Sequence, residues 1–185
     1  MLILITANTH AAIDNLLLCI DKMKNQFSQL SKHSRCYELA QSLKLLKLDG
    51  NKNNSKKIIS SNECSMVIGS TVWQLHKLDS AILFDVILID EATQLLTCDS
   101  VLALNRLADH HESRLIVAGD PLQLAPIKRC NYPTLCNTLP DLFSSLFHCL
   151  LRDSNNHRIS LETEKPFENI ARCPYLAIFN ENHRK

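Results

Sequence analysis

The chain has 185 residues, a formal net charge of +1 and a hydrophobic fraction of 45%. This hydrophobic content excludes a chain that is disordered throughout, and the length suits one domain with part of a second. The eight cysteines form no C-x-x-C pair, and no segment resembles a secretion signal or a membrane span, so we expect an intracellular protein, nuclear or cytoplasmic, with reduced thiols.

The first part of the chain predicts a strand, a helix and a polar insertion. Leu2 to Thr6 is predicted to form a buried strand, and Thr9 is a suitable N-cap for the helix that follows. That helix has apolar residues at helical spacing along one face: Ile13, Leu16, Leu17, Ile20, Met23 and Phe27. Residues 31–62 are rich in Lys, Asn and Ser. We interpret them as a basic insertion with a short helix from Tyr37 to Leu48 and a mobile loop at 50–57.

The rest of the chain continues to alternate strands with helices, which predicts βαβ units and a parallel sheet. Val86 to Ile89 is a continuous apolar run, typical of a strand buried on both faces. The helix expected from Ser100 to His110 directs four residues inward: Val101, Leu104, Leu107 and Ala108. The other predicted elements are strands at Met66 to Gly69, Leu115 to Ala118 and Ile159 to Leu161, a short helix at Thr71 to Leu78, a loop at 121–140 and a helix from Asp141 through Leu151.

Acidic residues follow two of the predicted strands. In the segment DVILIDEATQ, Asp90 and Glu91 directly follow the predicted strand. Gly119 and Asp120 directly follow the later apolar run, and Gln123 comes shortly after them. Open α/β sheets bind ligands at the carboxyl ends of their strands. A first acid there can bind Mg²⁺ through its water shell, an adjacent Glu can polarise the attacking water, and a Gln can sense a γ-phosphate. An isolated acidic pair can also simply begin a loop, but the second block favours a nucleotide site with its metal.

These segments carry a resemblance to a known family. DEATQ followed by GDPLQLAPI resembles motifs II and III of superfamily 1 helicases, in the branch of the nonsense-mediated-decay and Okazaki-fragment-processing helicases. Three further segments are similar to motifs Ia, Ib and IV of that family: ILITANTHAAIDNLL, VIGSTVWQL and FNENHR. Ala125 departs from the pattern, because the family usually has a proline there. The resemblance implies an α/β RecA-like P-loop NTPase fold, the cofactors ATP and Mg²⁺, and single-stranded DNA or RNA as partner.

The resemblance also implies roles for residues outside the acidic blocks. Thr9 and His10 at a strand-to-helix turn, and Ser70 and Thr71 at a similar turn, would contact the nucleic-acid backbone. Thr9 can equally serve only as a helix cap, and one hydroxyl can do both. Arg184 would reach the γ-phosphate from a second domain, as an arginine finger does. Trp73 could stack on a base, although a lone Trp in an apolar helix is more often part of the core.

One part of the family pattern is missing from the 185 residues. None of the three glycines begins or ends a G-x-x-x-x-G-K-[ST] phosphate loop, and motifs V and VI do not occur either. We therefore expect an incomplete RecA-like domain at 1–153, with its basic insertion at 31–62, followed at 154–185 by a linker and the start of a second RecA-like domain. The predicted function is that of a helicase fragment that is inactive alone, marginally stable and prone to aggregate. The alternative is a non-catalytic remnant that binds nucleic acid or a protein partner.

Overall fold

A parallel sheet of five strands organises the computed structural model, which describes residues 1–48, 65–120, 123–127 and 142–151. The strand order is β2-β3-β1-β4-β5, and every neighbouring pair is parallel. The strands are β1 (Leu2–Ala7), β2 (Lys44–Lys47), β3 (Met66–Thr71), β4 (Val86–Ile89) and β5 (Arg114–Val117). The predicted α/β class with a parallel sheet is therefore confirmed.

Helices lie between the strands and, in one case, after β5. They are α1 (His10–Phe27), α2 (Arg35–Ser42), a 3₁₀ helix (Val72–Lys77), α3 (Thr97–Leu104) and α4 (Leu146–Leu150). Thr9 caps α1 as predicted, since its Oγ1 accepts a hydrogen bond from the Ala12 backbone N–H at 3.2 Å. None of the helices in the described ranges is long and apolar enough to cross a membrane.

The apolar face of α1 is buried only near its first turns. Ile13 is fully buried, whereas Met23 and Phe27 are 51% and 37% exposed, so the apolar face predicted for this helix is not buried along its whole length. An 18-residue helix is about 27 Å long, but a six-residue strand is only about 20 Å long. The last turns of α1 therefore extend past the sheet that buries its beginning.

The helix predicted from Tyr37 to Leu48 is wrong beyond Ser42. Instead, β2 pairs with β3 in the register Lys44 to Met66 and Lys47 to Gly69. The short apolar run of this segment fits a helix or a strand equally well, and only its pairing with a distant strand decides between them. The turn between α2 and β2 is fixed in part from α1, because the Lys24 ammonium donates to the carbonyl oxygen of Leu43 at 2.7 Å.

The predicted helix at 100–110 also differs from the structure. Helix α3 begins earlier and ends at Leu104, and Val101, expected to face inward, is 42% exposed. After α3 the chain pairs with the residues before β4: Phe84 N–H donates to Arg106 O at 2.7 Å, and Ala108 N–H donates to Phe84 O at 2.9 Å. This backbone pairing, which needs residues far apart in sequence, ends the helix. Leu104 and Leu107 pack against the core as predicted.

Two other predictions are confirmed in part, and several concern residues outside the described ranges. Ile87 and Ile89 of β4 are fully buried, but Val86 and Leu88 are only partly so, and one face of this strand is therefore incompletely covered. The last helix is shorter than expected and is capped by Ser145, whose Oγ accepts from His148 N–H at 3.2 Å. The loop at 50–57, most of the 121–140 loop, the strand at 159–161 and the 154–185 segment lie outside the residues that the structure describes.

The main core lies on one face of the sheet. Its largest fully buried side chains include Phe84, Leu4, Ile68, Ile87 and Leu95. A smaller cluster on α1 packs against the sheet at Gly69, where an added Cβ atom would lie 2.7 Å from Ile13 Cγ2 and 2.7 Å from Leu17 Cδ1. Glycine is therefore needed for α1 to approach β3 this closely.

The two edges of the sheet differ in a way that predicts self-association. Lys44 and Lys47 are exposed on β2, and lysines on an edge strand oppose pairing with other chains. On β5, by contrast, Leu115 and Ile116 are 37% and 48% exposed, and no strand in the described ranges covers the outer edge. We expect the chain to associate as its concentration rises, and Ile116→Lys to reduce this association in sedimentation-velocity measurements.

The matched control is Leu18→Lys, which replaces a leucine that is 53% exposed on α1, away from this edge. It should leave the concentration dependence unchanged. A cooperative melt of the wild-type chain that is independent of concentration would contradict the prediction.

Candidate functional site at the carboxyl edge of the sheet

The predicted site residues that the structure describes lie where four adjacent strands end. In the register of the sheet, Thr6 lies beside Ile89, and Ile89 lies beside Val117. The segments that follow these strands therefore emerge side by side. Backbone hydrogen bonds join them: Asp90 N–H donates to Thr6 O at 2.9 Å, and Ala92 N–H donates to Ala118 O at 2.9 Å. The two acidic blocks thus meet at one edge, as expected for an open α/β sheet.

Glu91 has an unusual backbone conformation. Its φ of 51° is the one positive φ found for a non-glycine residue in the described part of the chain. A residue with a Cβ atom in the left-handed region is strained by about 1 kcal/mol or more. The bonds at Asp90 and Ala92, with Gln94 N–H donating to Glu91 O at 2.8 Å, impose this conformation. Such strain is concentrated at functional sites, which supports the choice of Glu91 as a site residue.

Thr9 links the start of α1 to this glutamate. Its Oγ1 accepts from Ala12 N–H as the helix cap and donates to Glu91 Oε2 at 3.5 Å. Thr9 and His10 are both exposed, so the N-terminus of α1 is open to a ligand. A phosphate bound there would lie next to the group that orients the Glu91 carboxylate.

Ser70 and Thr71 differ from the two residues at the start of α1. They are only 1% and 5% exposed, and Ser70 Oγ donates to Thr71 O at 2.9 Å. Their side chains face the interior, so any contact with a nucleic acid would come from their backbone. The exposed residue here is Trp73, at 50%, and the interpretation that it belongs to the core is wrong.

Gly119 and Gln123 bring the second block against the first. A Cβ atom at Gly119 would lie 3.1 Å from Thr93 Cγ2 and 3.2 Å from Thr93 N, so the absence of a side chain at Gly119 allows this close approach to the DEATQ segment. Gln123 Oε1 accepts from Gln94 Nε2 at 3.4 Å, and Asp120 accepts from Gln123 N–H through its backbone oxygen at 3.0 Å. Arg184 lies outside the described residues.

Two features of the structure, one near the site and one at the other edge of the sheet, were not predicted from the sequence. Arg106 donates four hydrogen bonds to backbone oxygens around the 3₁₀ helix, those of Leu75, Leu78, Asp79 and Ile82, at 2.6 to 3.4 Å. At the opposite edge of the sheet, Asp85 accepts from Leu2 N–H at 2.7 Å and pairs with His110 Nε2 at 3.0 Å. Burial tends to raise the pKa of Asp85, but these two hydrogen bonds, together with the positive charges of the N-terminal ammonium and of His110, outweigh it and lower that pKa below its usual value.

The arrangement suits a hydrated Mg²⁺ bound mainly by water and phosphate. Within the described ranges, no three His, Cys, Asp or Glu side chains lie close enough to hold a metal ion by themselves. Asp90 is partly exposed at the end of β4 and offers the hard oxygen that Mg²⁺ prefers. Mg²⁺ keeps several waters and takes only one or two carboxylates when it binds with a nucleotide, so this carboxylate fits the metal.

Comparison with known proteins agrees with the fold. The family described as AAA domain matches residues 21–128, which is more than half of the chain and includes both acidic blocks and Gln123. No characterised protein matches the chain. The matching family is associated with superfamily 1 helicases and generally uses ATP and Mg²⁺. The chain therefore belongs to the AAA domain family, and its parallel sheet is part of a helicase-like P-loop NTPase fold.

Proposed function

We propose that this chain is part of an ATP-dependent helicase that couples ATP hydrolysis to movement along single-stranded DNA or RNA. Within superfamily 1, the proposed branch is that of the nonsense-mediated-decay and Okazaki-fragment-processing helicases. The observation that carries the proposal is the meeting of two carboxylate-bearing strand ends, with Glu91 strained and hydrogen-bonded to Thr9. Phosphoryl transfer depends on positioning and charge, and rigid strand ends supply both.

Each residue at the nucleotide side has a proposed role. Asp90 holds Mg²⁺ through its water shell, and the bound metal would neutralise charge on the β- and γ-phosphates. Glu91 orients the attacking water and accepts its proton. Gln123 contacts the γ-phosphate, with Gly119 and Asp120 shaping the loop that presents it. Arg184, at the start of a second domain, reaches the same phosphate as an arginine finger.

The strand-binding side uses the turns after β1 and β3. The exposed N-terminus of α1, with Thr9 and His10, binds a backbone phosphate, because helix N-terminal N–H groups favour anions. The turn at Ser70 and Thr71 adds contacts from its backbone. Thr9 then takes part both in strand binding and in the nucleotide site, since its hydroxyl also donates to Glu91.

One observation favours a second candidate, a non-catalytic remnant that binds nucleic acid or protein. The 185 residues contain no G-x-x-x-x-G-K-[ST] segment, and without such a loop the phosphates have no cradle. The sequence of the gene upstream of the codon for Met1 separates the candidates. An in-frame phosphate loop there supports the helicase, and a genuine promoter and start codon at that point support the remnant.

The coupling role of Gln123 gives a biochemical test. In a protein that carries this chain behind a phosphate-binding loop, Gln123→Ala should reduce the stimulation of ATPase activity by a single strand more than it reduces ATP affinity. The reason is that Gln123 would report the γ-phosphate rather than supply most of the binding energy. ATPase rates with and without strand, together with ATP titrations, measure the two effects. Gln26→Ala, on the exposed side of α1, is the control and should change neither quantity. If Gln123→Ala reduced strand stimulation no more than Gln26→Ala does, the proposed role of Gln123 would be refuted.

A further inference from the structure

We propose that a cleft beside Trp73 binds an unpaired nucleobase of the tracked strand. The cleft has a volume of about 460 Å³ and lies at the same edge of the sheet as the nucleotide site. Small-molecule sites generally measure about 300 to 1,000 Å³, so this cleft is large enough for a base. The inference rests on the proposed function and specifies which part of the strand is recognised.

Trp73 offers a fixed aromatic surface. Half of the residue is exposed, yet its neighbours Val72 and Leu75 are 0% and 1% exposed and anchor the 3₁₀ helix in the core. The hydrogen bonds from Arg106 to Leu75 O and Leu78 O, both at 3.1 Å, secure the end of that helix. A rigid, half-exposed indole is suited to stacking on a base and loses little conformational freedom when it binds.

The polar lining of the cleft fits a base better than a phosphate. Asn8 and Gln94 contribute amides, which can donate to and accept from the edges of bases, and Asp99 contributes the one charged side chain among the described residues that line it. Burial and the neighbouring Asp99 carboxylate raise the pKa of the Cys98 thiol, so the thiol adds no second negative charge to the cleft. With a carboxylate and no described cation in the lining, a phosphate would be repelled.

The sheet places this cleft next to the phosphate-binding turn. Ala7 of β1 lies beside Thr71 of β3, so Asn8 and the segment that carries Trp73 leave the sheet side by side. Asn8 directly precedes Thr9 and His10, which begin the exposed end of α1. A nucleotide can therefore place its base against Trp73 and its phosphate at the helix N-terminus.

An apolar peptide is the competing occupant, because Leu124 and Ile127 on the far wall are 85% and 89% exposed. The Asn8 and Gln94 amides and the single carboxylate favour a base, since an apolar peptide would cover these polar groups without offering them any hydrogen bond. Comparing the binding of a strand that carries bases with that of an abasic strand separates base stacking from all other contacts.

Trp73 is the one tryptophan in the sequence, so its fluorescence reports the cleft directly. The 185-residue chain, kept dilute to limit association, is titrated with oligodeoxythymidylate, with oligouridylate and with an abasic strand of equal length. Binding is followed separately by the anisotropy of a dye on each strand. We expect both base-carrying strands to quench Trp73, and the abasic strand to bind more weakly without quenching. Trp73→Ala should weaken binding of the base-carrying strands by about 5- to 100-fold, with a smaller loss for Trp73→Phe.

The control is Leu102→Ala, which truncates an exposed residue of α3 and should leave strand affinity unchanged. If anisotropy shows tight binding but Trp73 is not quenched and Trp73→Ala binds normally, the inference fails while the proposed function stands. Equally tight binding of the abasic strand would overturn the inference in the same way. If no strand binds, the inference and the nucleic-acid part of the proposed function both fail. Quenching of Trp73 by a leucine-rich peptide, with none by either base-carrying strand, would assign the cleft to a protein partner and overturn the inference.

Discussion

Glu91→Gln lowers the rate of ATP hydrolysis by about 100-fold or more, the size of a general-base contribution, in a protein that joins this chain to a phosphate-binding loop. The amide keeps the size of the side chain and can still accept the hydrogen bond from Thr9 Oγ1. It loses the negative charge that orients the water and accepts its proton. ATP affinity should be largely retained, because the glutamate acts on the water rather than on the nucleotide. Steady-state kcat and direct ATP titration measure the two quantities separately.

Two further variants define the role. Asp90→Asn should weaken the Mg²⁺-dependent part of nucleotide binding, because it removes a charge from the outer shell of the metal. Glu38→Gln, on the exposed surface of α2, should change neither quantity. An unchanged kcat for Glu91→Gln would remove this residue from the mechanism. Strand-stimulated hydrolysis by the pure 185-residue chain, abolished by Glu91→Gln, would show that no separate phosphate loop is needed.

Arg106→Met reduces the free energy of unfolding by about 2 to 4 kcal/mol, because hydrogen bonds to a charged group contribute about 1.5 to 3 kcal/mol each and are weakened where the group is partly exposed. Methionine keeps much of the length and apolar stem but cannot donate to any of the carbonyl oxygens that the guanidinium binds: Leu75, Leu78, Asp79 and Ile82. Urea unfolding followed by far-UV circular dichroism measures the loss.

Arg35→Met is the matched control, since Arg35 is exposed at the start of α2 and its removal should change stability little. The Trp73 emission of folded Arg106→Met should also change, because the 3₁₀ helix that carries the indole loses its attachment. A loss of stability no larger than that of Arg35→Met would show that the four hydrogen bonds are replaced by water without penalty.

Local patterns in the sequence were enough to predict most of the sheet. Val86 to Ile89 was predicted with the bounds that the structure has, because its four residues are too few for a typical helix and three of them are β-branched. Thr9 was identified as a cap from its own side chain and position. The strand β2 was missed because its identity depends on pairing with β3, across more than twenty residues of chain. The early end of α3 likewise depends on Phe84, which is distant in sequence.

For the candidate site too, local patterns in the sequence predicted some features, and other features depend on contacts between distant residues. Its location followed from the acids at two strand ends, since parallel strands bring their carboxyl ends to one edge. The left-handed backbone of Glu91 and its contact with Thr9 arise only when β1 and β4 are adjacent. The exposure of Trp73 depends on which side of a six-residue 3₁₀ helix is covered, and an apolar composition cannot indicate that side. The role of Arg106 could not be predicted from the sequence, because its partners are backbone carbonyl oxygens, which every residue type has.

At residue 91, the fold imposes a backbone conformation that does not favour the glutamate required by the proposed chemistry. At a φ of 51°, glycine or asparagine is a more comfortable occupant than glutamate, by about 1 kcal/mol for glycine. If variants at position 91 were selected for stability alone, glycine or asparagine would therefore tend to replace the glutamate. We therefore infer that Glu91 contributes to the proposed chemistry and not to the stability of the fold.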